Sequence, residues 1–250
     1  MTDKRYYQKG NPDKEPLQSV KINTKKVSSD KNAAKFLFRQ KYTKPDAFKY
    51  PQKLVVVYSG GTEREKDYFR LIDKNPTLFP VRIDFYADPN FEKGGRPSIV
   101  QFAKDKTDEY KESASEENPD SYFLLTDVDH FERFLREMKI ECAENDIELI
   151  ISNSCFEVWL YYAEKSDRCS AFNVPENKME VSSAFKTWAN AEVKGGLKPT
   201  KAILNIEQNI ENAKKNYEEE DGFPNLFSTQ MFRLAEHLLP FVKNSLKFLR

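Results

Sequence analysis

Two short runs of strand-forming residues, each stopped by a different kind of break, constrain this chain more than anything else in it. Residues 54–58 read LVVVY and stop at Ser59, Gly60 and Gly61, whereas residues 122–126 read YFLLT and stop at Asp127, Val128 and Asp129. An unbroken apolar run of this length describes a strand covered on both faces, the usual state of strands in a parallel sheet between helices. Residues 147–151, IELII, read as a further buried strand, and residues 81–87 alternate as a strand should. Amphipathic stretches lie between them: one from Thr62, a residue type that caps helices, to about Asp73, one over 98–111, and one over 130–145 with Phe131, Phe134, Leu135 and Met138 on one face. Four alternations of strand and helix predict an α/β fold, with a parallel sheet of about four strands flanked by helices. Beyond an aromatic helical stretch at 156–163 the pattern changes. Helical periods at 182–191, 201–220 and 228–247 then predict a mainly helical C-terminal extension over 164–250.

With 250 residues, the chain can bury a core without disulfides or a structural metal. Three cysteines, Cys142, Cys155 and Cys169, and two histidines, His130 and His237, lack the paired spacing of a zinc site. No apolar run approaches the roughly twenty residues of a membrane span, and the first residues, MTDKRYYQKG, contain no apolar signal core. The cytoplasm is therefore the expected compartment. The formal net charge is zero, yet residues 1–53 carry fourteen Lys and Arg against five acids. A basic, loosely ordered arm over 1–52 is expected. It could neutralise nucleic-acid phosphates or simply be a solvated extension.

Chemistry is expected beyond the carboxyl ends of the strands, where open parallel sheets place their functional crevice. Asp127 and Asp129, two apart, can share a side. With Glu63 as a third carboxylate they would form an all-oxygen site suited to Mg2+ or Mn2+, able to activate water and to stabilise a phosphoryl transition state. A second reading stays open, in which Asp127 caps the helix that follows and Asp129 is an acid of its first turn. Glu157, in SNSCFEVWLYY over 152–162, is either a fourth site acid beside Asn153 or a helix-start residue within a packed aromatic segment. Lys194, Lys198 and Lys201 beside Gly195 and Gly196 are candidate backbone contacts or a solvated loop. Gly60-Gly61 lacks the Lys-Ser/Thr of a phosphate-binding P-loop, and Val57 stands where a nucleophile elbow around Ser59 needs glycine.

Four segments in order, LVVVYSGGTEREKDYF, LLTDVDHF, SNSCFEVWL and NLFSTQMFRL (225–234), together resemble the RloB family. That resemblance spans about residues 53–239. It implies a Toprim-like core over 53–163, a metal-dependent nuclease-like effector of anti-phage abortive infection acting on RNA or DNA, and an ABC-class ATPase as partner. The residues carried over are Asp127 and Asp129 as the metal-holding pair, with Mg2+ or Mn2+ as cofactor. One departure matters. Family members read Cys-Glu-Gly-x-Thr-Glu where this chain reads Tyr58, Ser59, Gly60, Gly61, Thr62, Glu63, so the first glutamate is serine and only Glu63 survives. A serine hydroxyl cannot act unaided as a general base near neutral pH. The alternatives are that Glu63 reaches the metal, that the site is weakened, or that the chain is a catalytically degenerate sensor or ATPase partner.

Overall fold

In a computed structural model of the protein, residues 53–61, 63–87, 91–112, 119–131 and 133–249 are described, with 91–98, 130 and 131 described by their backbone course alone. The basic arm over 1–52, with Tyr6 and Tyr7, and the cap residue Thr62 lie outside the described residues. The elements run β1 (Lys53–Ser59), α1 (Arg64–Asp73), β2 (Val81–Ala87), α2 (Phe91–Lys111), β3 (Ser121–Asp127), α3 (Val128–Phe131), α4 (Leu135–Glu144) and β4 (Ile147–Asn153). They continue as α5 (Glu157–Tyr162), α6 (Lys178–Glu192), α7 (Pro199–Leu204), α8 (Ile206–Lys215), β5 (Glu219–Glu220), β6 (Phe223–Pro224), β7 (Ser228–Thr229) and α9 (Met231–Leu246).

The sheet order is β2-β1-β3-β4-β7; the first four strands are parallel and β7 is antiparallel to β4. The α/β parallel sheet flanked by helices is as the sequence predicts, and β7 adds a fifth strand where a helix start was expected at 228. Local chemistry explains it. Ser152 and Thr229 share a side-chain hydrogen bond at 2.7 Å, and Gln230 donates its N–H to the Ile151 carbonyl while its Oε1 accepts from the Ile151 N–H. The helix expected over 130–145 is two, α3 and α4, and that over 201–220 is α7 and α8, divided at Asn205, whose φ of −98° and ψ of 25° leave the helical region, and ends at Lys215, with Glu219–Glu220 forming β5 instead. α6 starts four residues earlier than its apolar period suggests because the Asn177 side chain accepts from Met179 N–H.

Strand alternation sorts the core into two faces. Val55, Val57, Phe123, Leu125 and Ile150 point to one face, where they meet α1, α5 and the aromatic and aliphatic residues of α6 to α9. Val56, Tyr58, Tyr122, Leu124, Leu149 and Ile151 point to the other, against α2 and α4. The same buried cluster on the first face reaches from Val55 to Leu246, so the C-terminal helices and the sheet share one core.

Candidate active site

Continuing the alternation by one step puts Ser59, Asp127 and Ser152 on the first face, each at or next to the carboxyl end of its strand. Register holds them together: Ser59 pairs with Leu125 and Asp127 with Ser152. They line a cavity of about 250 Å³ closed by Gly60 and Gly61 on the β1–α1 turn, Glu65 in the first turn of α1, Phe156 and Glu157 at the start of α5, and Lys186 of α6. Helices packed on a parallel sheet thus bring three strand ends and three helices to one strand-end crevice, where the sequence places it.

Asp127 is only partly exposed. Burial raises its carboxyl well above the ordinary range, and the charges of Glu65, Asp129 and Glu157 raise it further while Lys186 opposes them. Glu65 is likewise raised, by burial first and then by Glu157, with Lys186 and Arg64 pulling the other way. Burial alone would lower Lys186, but Glu157, Cys155, Asp127 and Asp129 outweigh it and the ammonium is raised. Its Nζ stands 3.8 Å from Glu157 Oε2. The Cys155 thiol beneath them is pushed well up by burial and then by Asp127 and Glu157, which leaves it an inert thiol.

The sequence-predicted residues separate. Asp127 and Glu157 line the cavity; Asp129, in the first turn of α3, acts on Asp127 through its charge. Glu157 is buried, at 8% exposure, because every residue of α5 is buried and the packing of Val158, Trp159, Leu160, Tyr161 and Tyr162 fixes the helix. Glu63 is the exposed N-cap of α1 and sits at the mouth, shared with a neighbouring groove along α1 and β2. Asn153 turns elsewhere, donating to the Pro224 carbonyl at 2.9 Å and lining a separate hollow with Arg136 and Phe223. Lys201 is paired with Glu164 at 3.2 Å. Ser59 is buried, and its hydroxyl accepts from Gly61 N–H at 3.0 Å.

Sequence reasoning leaves Glu65 a first-turn acid and does not single out Lys186, though a signal that both face a site exists. On α1 the buried residues are Tyr68, Phe69 and Ile72, and Glu65 lies three, four and seven positions before them, on the same stripe. On α6, Lys186 lies among Ser182, Phe185 and Ala189 in the same way. A charge on an inward stripe marks a site.

The donor set is all-oxygen and acid-rich, the kind a hard divalent cation takes. Among the described residues no three His, Cys, Asp or Glu side chains surround one point at metal-holding spacing. Mg2+ does not need such a cage, since one or two carboxylates with water and substrate phosphate usually suffice. Asp127 with one acidic neighbour fits that need, and a cation would offset both the burial and the neighbouring acids that raise Asp127.

The chain matches the family model described as RloB-like protein over residues 55–238. No curated protein and no solved structure matches it. The matched span runs from β1 into α9 and contains every residue that lines the cavity, so the chain belongs to the RloB-like family.

Proposed function

We propose that the protein is a metal-dependent, Toprim-type nuclease-like effector of anti-phage abortive infection that hydrolyses a phosphodiester of RNA or DNA. The observation that carries this reading is Asp127: a carboxylate at a strand end, held among three other acids beside a single lysine in a cavity of about 250 Å³. Burying like charges is costly unless something positive completes the site. Asp127, with Asp129 or Glu157 at its side, would hold Mg2+ or Mn2+; when bound, that ion lowers the pKa of a coordinated water and offsets phosphoryl charge. Lys186 would orient a non-bridging phosphate oxygen, as a compact cation does. Phe156 and Met231 narrow the apolar wall and limit water. Glu63 at the mouth meets the substrate before the deeper acids do.

Ser59, buried and bonded to the turn, supports a second reading, in which a degenerate site leaves the protein as sensor or partner of an ABC-class ATPase. Mn2+-supported cleavage of plasmid DNA and total tRNA separates the two. Wild-type cleavage that Asp127→Asn removes is the result expected of a nuclease. Silence from wild type with cleavage gained in Ser59→Glu would assign the partner role instead.

A further inference from the structure

The end of β1 contributes no acid to the cavity, because Ser59 is short and its hydroxyl is engaged by Gly61 N–H. The space above the turn is nevertheless filled by an acid. A methyl group built on Gly61 would overlap all three carboxylate atoms of Glu65, so that carboxylate lies folded back over the glycine. Gly61 does not need the left-handed backbone that often calls for glycine; what it provides is room. The stem of Glu65 is held from both sides. Its neighbours on the helix stripe, Tyr68, Phe69 and Ile72, are buried, and the adjacent Arg64 donates to the Leu197 carbonyl at 2.9 Å, tying the first turn of α1 to the residues before α7. Glu63 cannot occupy the same place: two residues earlier on a helix is roughly 200° around its axis, and Glu63 is exposed at the mouth.

We infer that Glu65, seated on Gly61, is the carboxylate that completes the divalent-cation site opposite Asp127, in the place a longer acidic side chain at position 59 would otherwise fill. A further feature favours a ligand there: Lys186 lines the same cavity and brings a cation to it, as a phosphate would require. In this chain the acid has moved from the strand end to the second residue of the next helix, and the glycine between them is the accommodation. The inference rests on the metal-dependent reading of the site.

The test measures Mn2+ binding by titration of the free ion's paramagnetic signal, alongside cleavage, in the full-length protein. Glu65→Gln should weaken Mn2+ binding roughly 10–100-fold, the range typical of groups that hold or support a bound metal. Gly61→Ala should reproduce that loss while far-UV circular dichroism and the unfolding midpoint stay near wild type, since only the flexible end of Glu65 is displaced. Ser59→Glu introduced into Glu65→Gln should recover binding at least in part. Glu65→Gln with unchanged Mn2+ affinity, or Glu63→Gln carrying the larger loss, would overturn the assignment while Asp127→Asn still abolished binding. Wild type that binds no Mn2+ would overturn the metal-dependent reading and this assignment together.

Discussion

The two faces of the sheet follow one alternation and end in different ways. On the face toward α2 and α4, two groups of polar atoms pair with each other: Tyr58 Oη and Thr107 Oγ1 share a hydrogen bond at 2.9 Å, and Tyr86, Tyr110 and Asp84 form a chain of bonds at 2.7 and 2.5 Å. Arg82 closes that chain with two bonds to Asp84. On the face toward α1, α5 and α6, the polar atoms at the strand ends are mostly like charges with one lysine among them. The first arrangement is held by hydrogen bonds within the protein; the second leaves like charges that a positive charge would offset. The candidate site thus lies on the face whose strand-end polar groups are left electrostatically incomplete.

The largest expected effect tests whether the fold depends on the same face as the site. Trp159 is fully buried on α5, edge-on to Tyr68 with ring centres 6.2 Å apart. Trp159→Ala should cost about 3–5 kcal/mol in urea unfolding, and it should also loosen Glu157, two residues away. A loss under about 1 kcal/mol would mean that the aromatic segment packs outside the cooperative core.

A smaller effect should appear with unusual sign. Asp127 and Glu65 are raised in the folded protein, so between the ordinary carboxyl value and their folded values the native state holds protons that the unfolded state releases. Stability is then greatest on the acid side of that window and falls as pH rises through it. Asp127→Asn removes part of the repulsion, and at neutral pH it should stabilise the protein by about 1 kcal/mol, roughly 2–4 °C in Tm, while flattening the pH dependence. Lys186→Met should shift Tm in the opposite direction, because the acids lose their cation. Thermal unfolding at pH 5 and pH 8 reads both; a destabilised Asp127→Asn would show that the aspartate is held by hydrogen bonds rather than strained by its neighbours.

Much of this contrast is legible in the sequence. LVVVY and YFLLT announce doubly covered parallel strands, and Asp127 at the end of one of them follows from the switch between apolar run and acid. Glu157 is legible as an acid preceding a fully apolar helix. What stays hidden depends on which side of a helix faces inward. Glu63 and Glu65 are equivalent as letters, and only the stripe of Tyr68, Phe69 and Ile72 separates them. Lys186 lies nearly thirty residues beyond Glu157, in a helical region whose docking against α5 no local pattern reports. β7 is two residues long and is specified by its side-chain bonds to β4, so its periodicity is too short to read.

The smallest effect addresses the satisfied face. Tyr58→Phe keeps the ring, stacked on Tyr86 at 6.2 Å between centres, and removes the oxygen that Thr107 needs. Thr107 is fully buried, so its hydroxyl is left without its partner. The expected cost is about 1 kcal/mol, the usual net value of such a bond plus part of the desolvation of the orphaned group. Tyr58→Phe with Thr107→Val should be less destabilised than the sum of the two single changes, because neither polar atom remains to be satisfied. Mn2+ binding should not respond to either variant, since both residues lie on the face turned away from Asp127. A double-mutant cycle showing no coupling would remove the hydrogen bond from the contrast, and a change in Mn2+ affinity would show that the two faces communicate through β1.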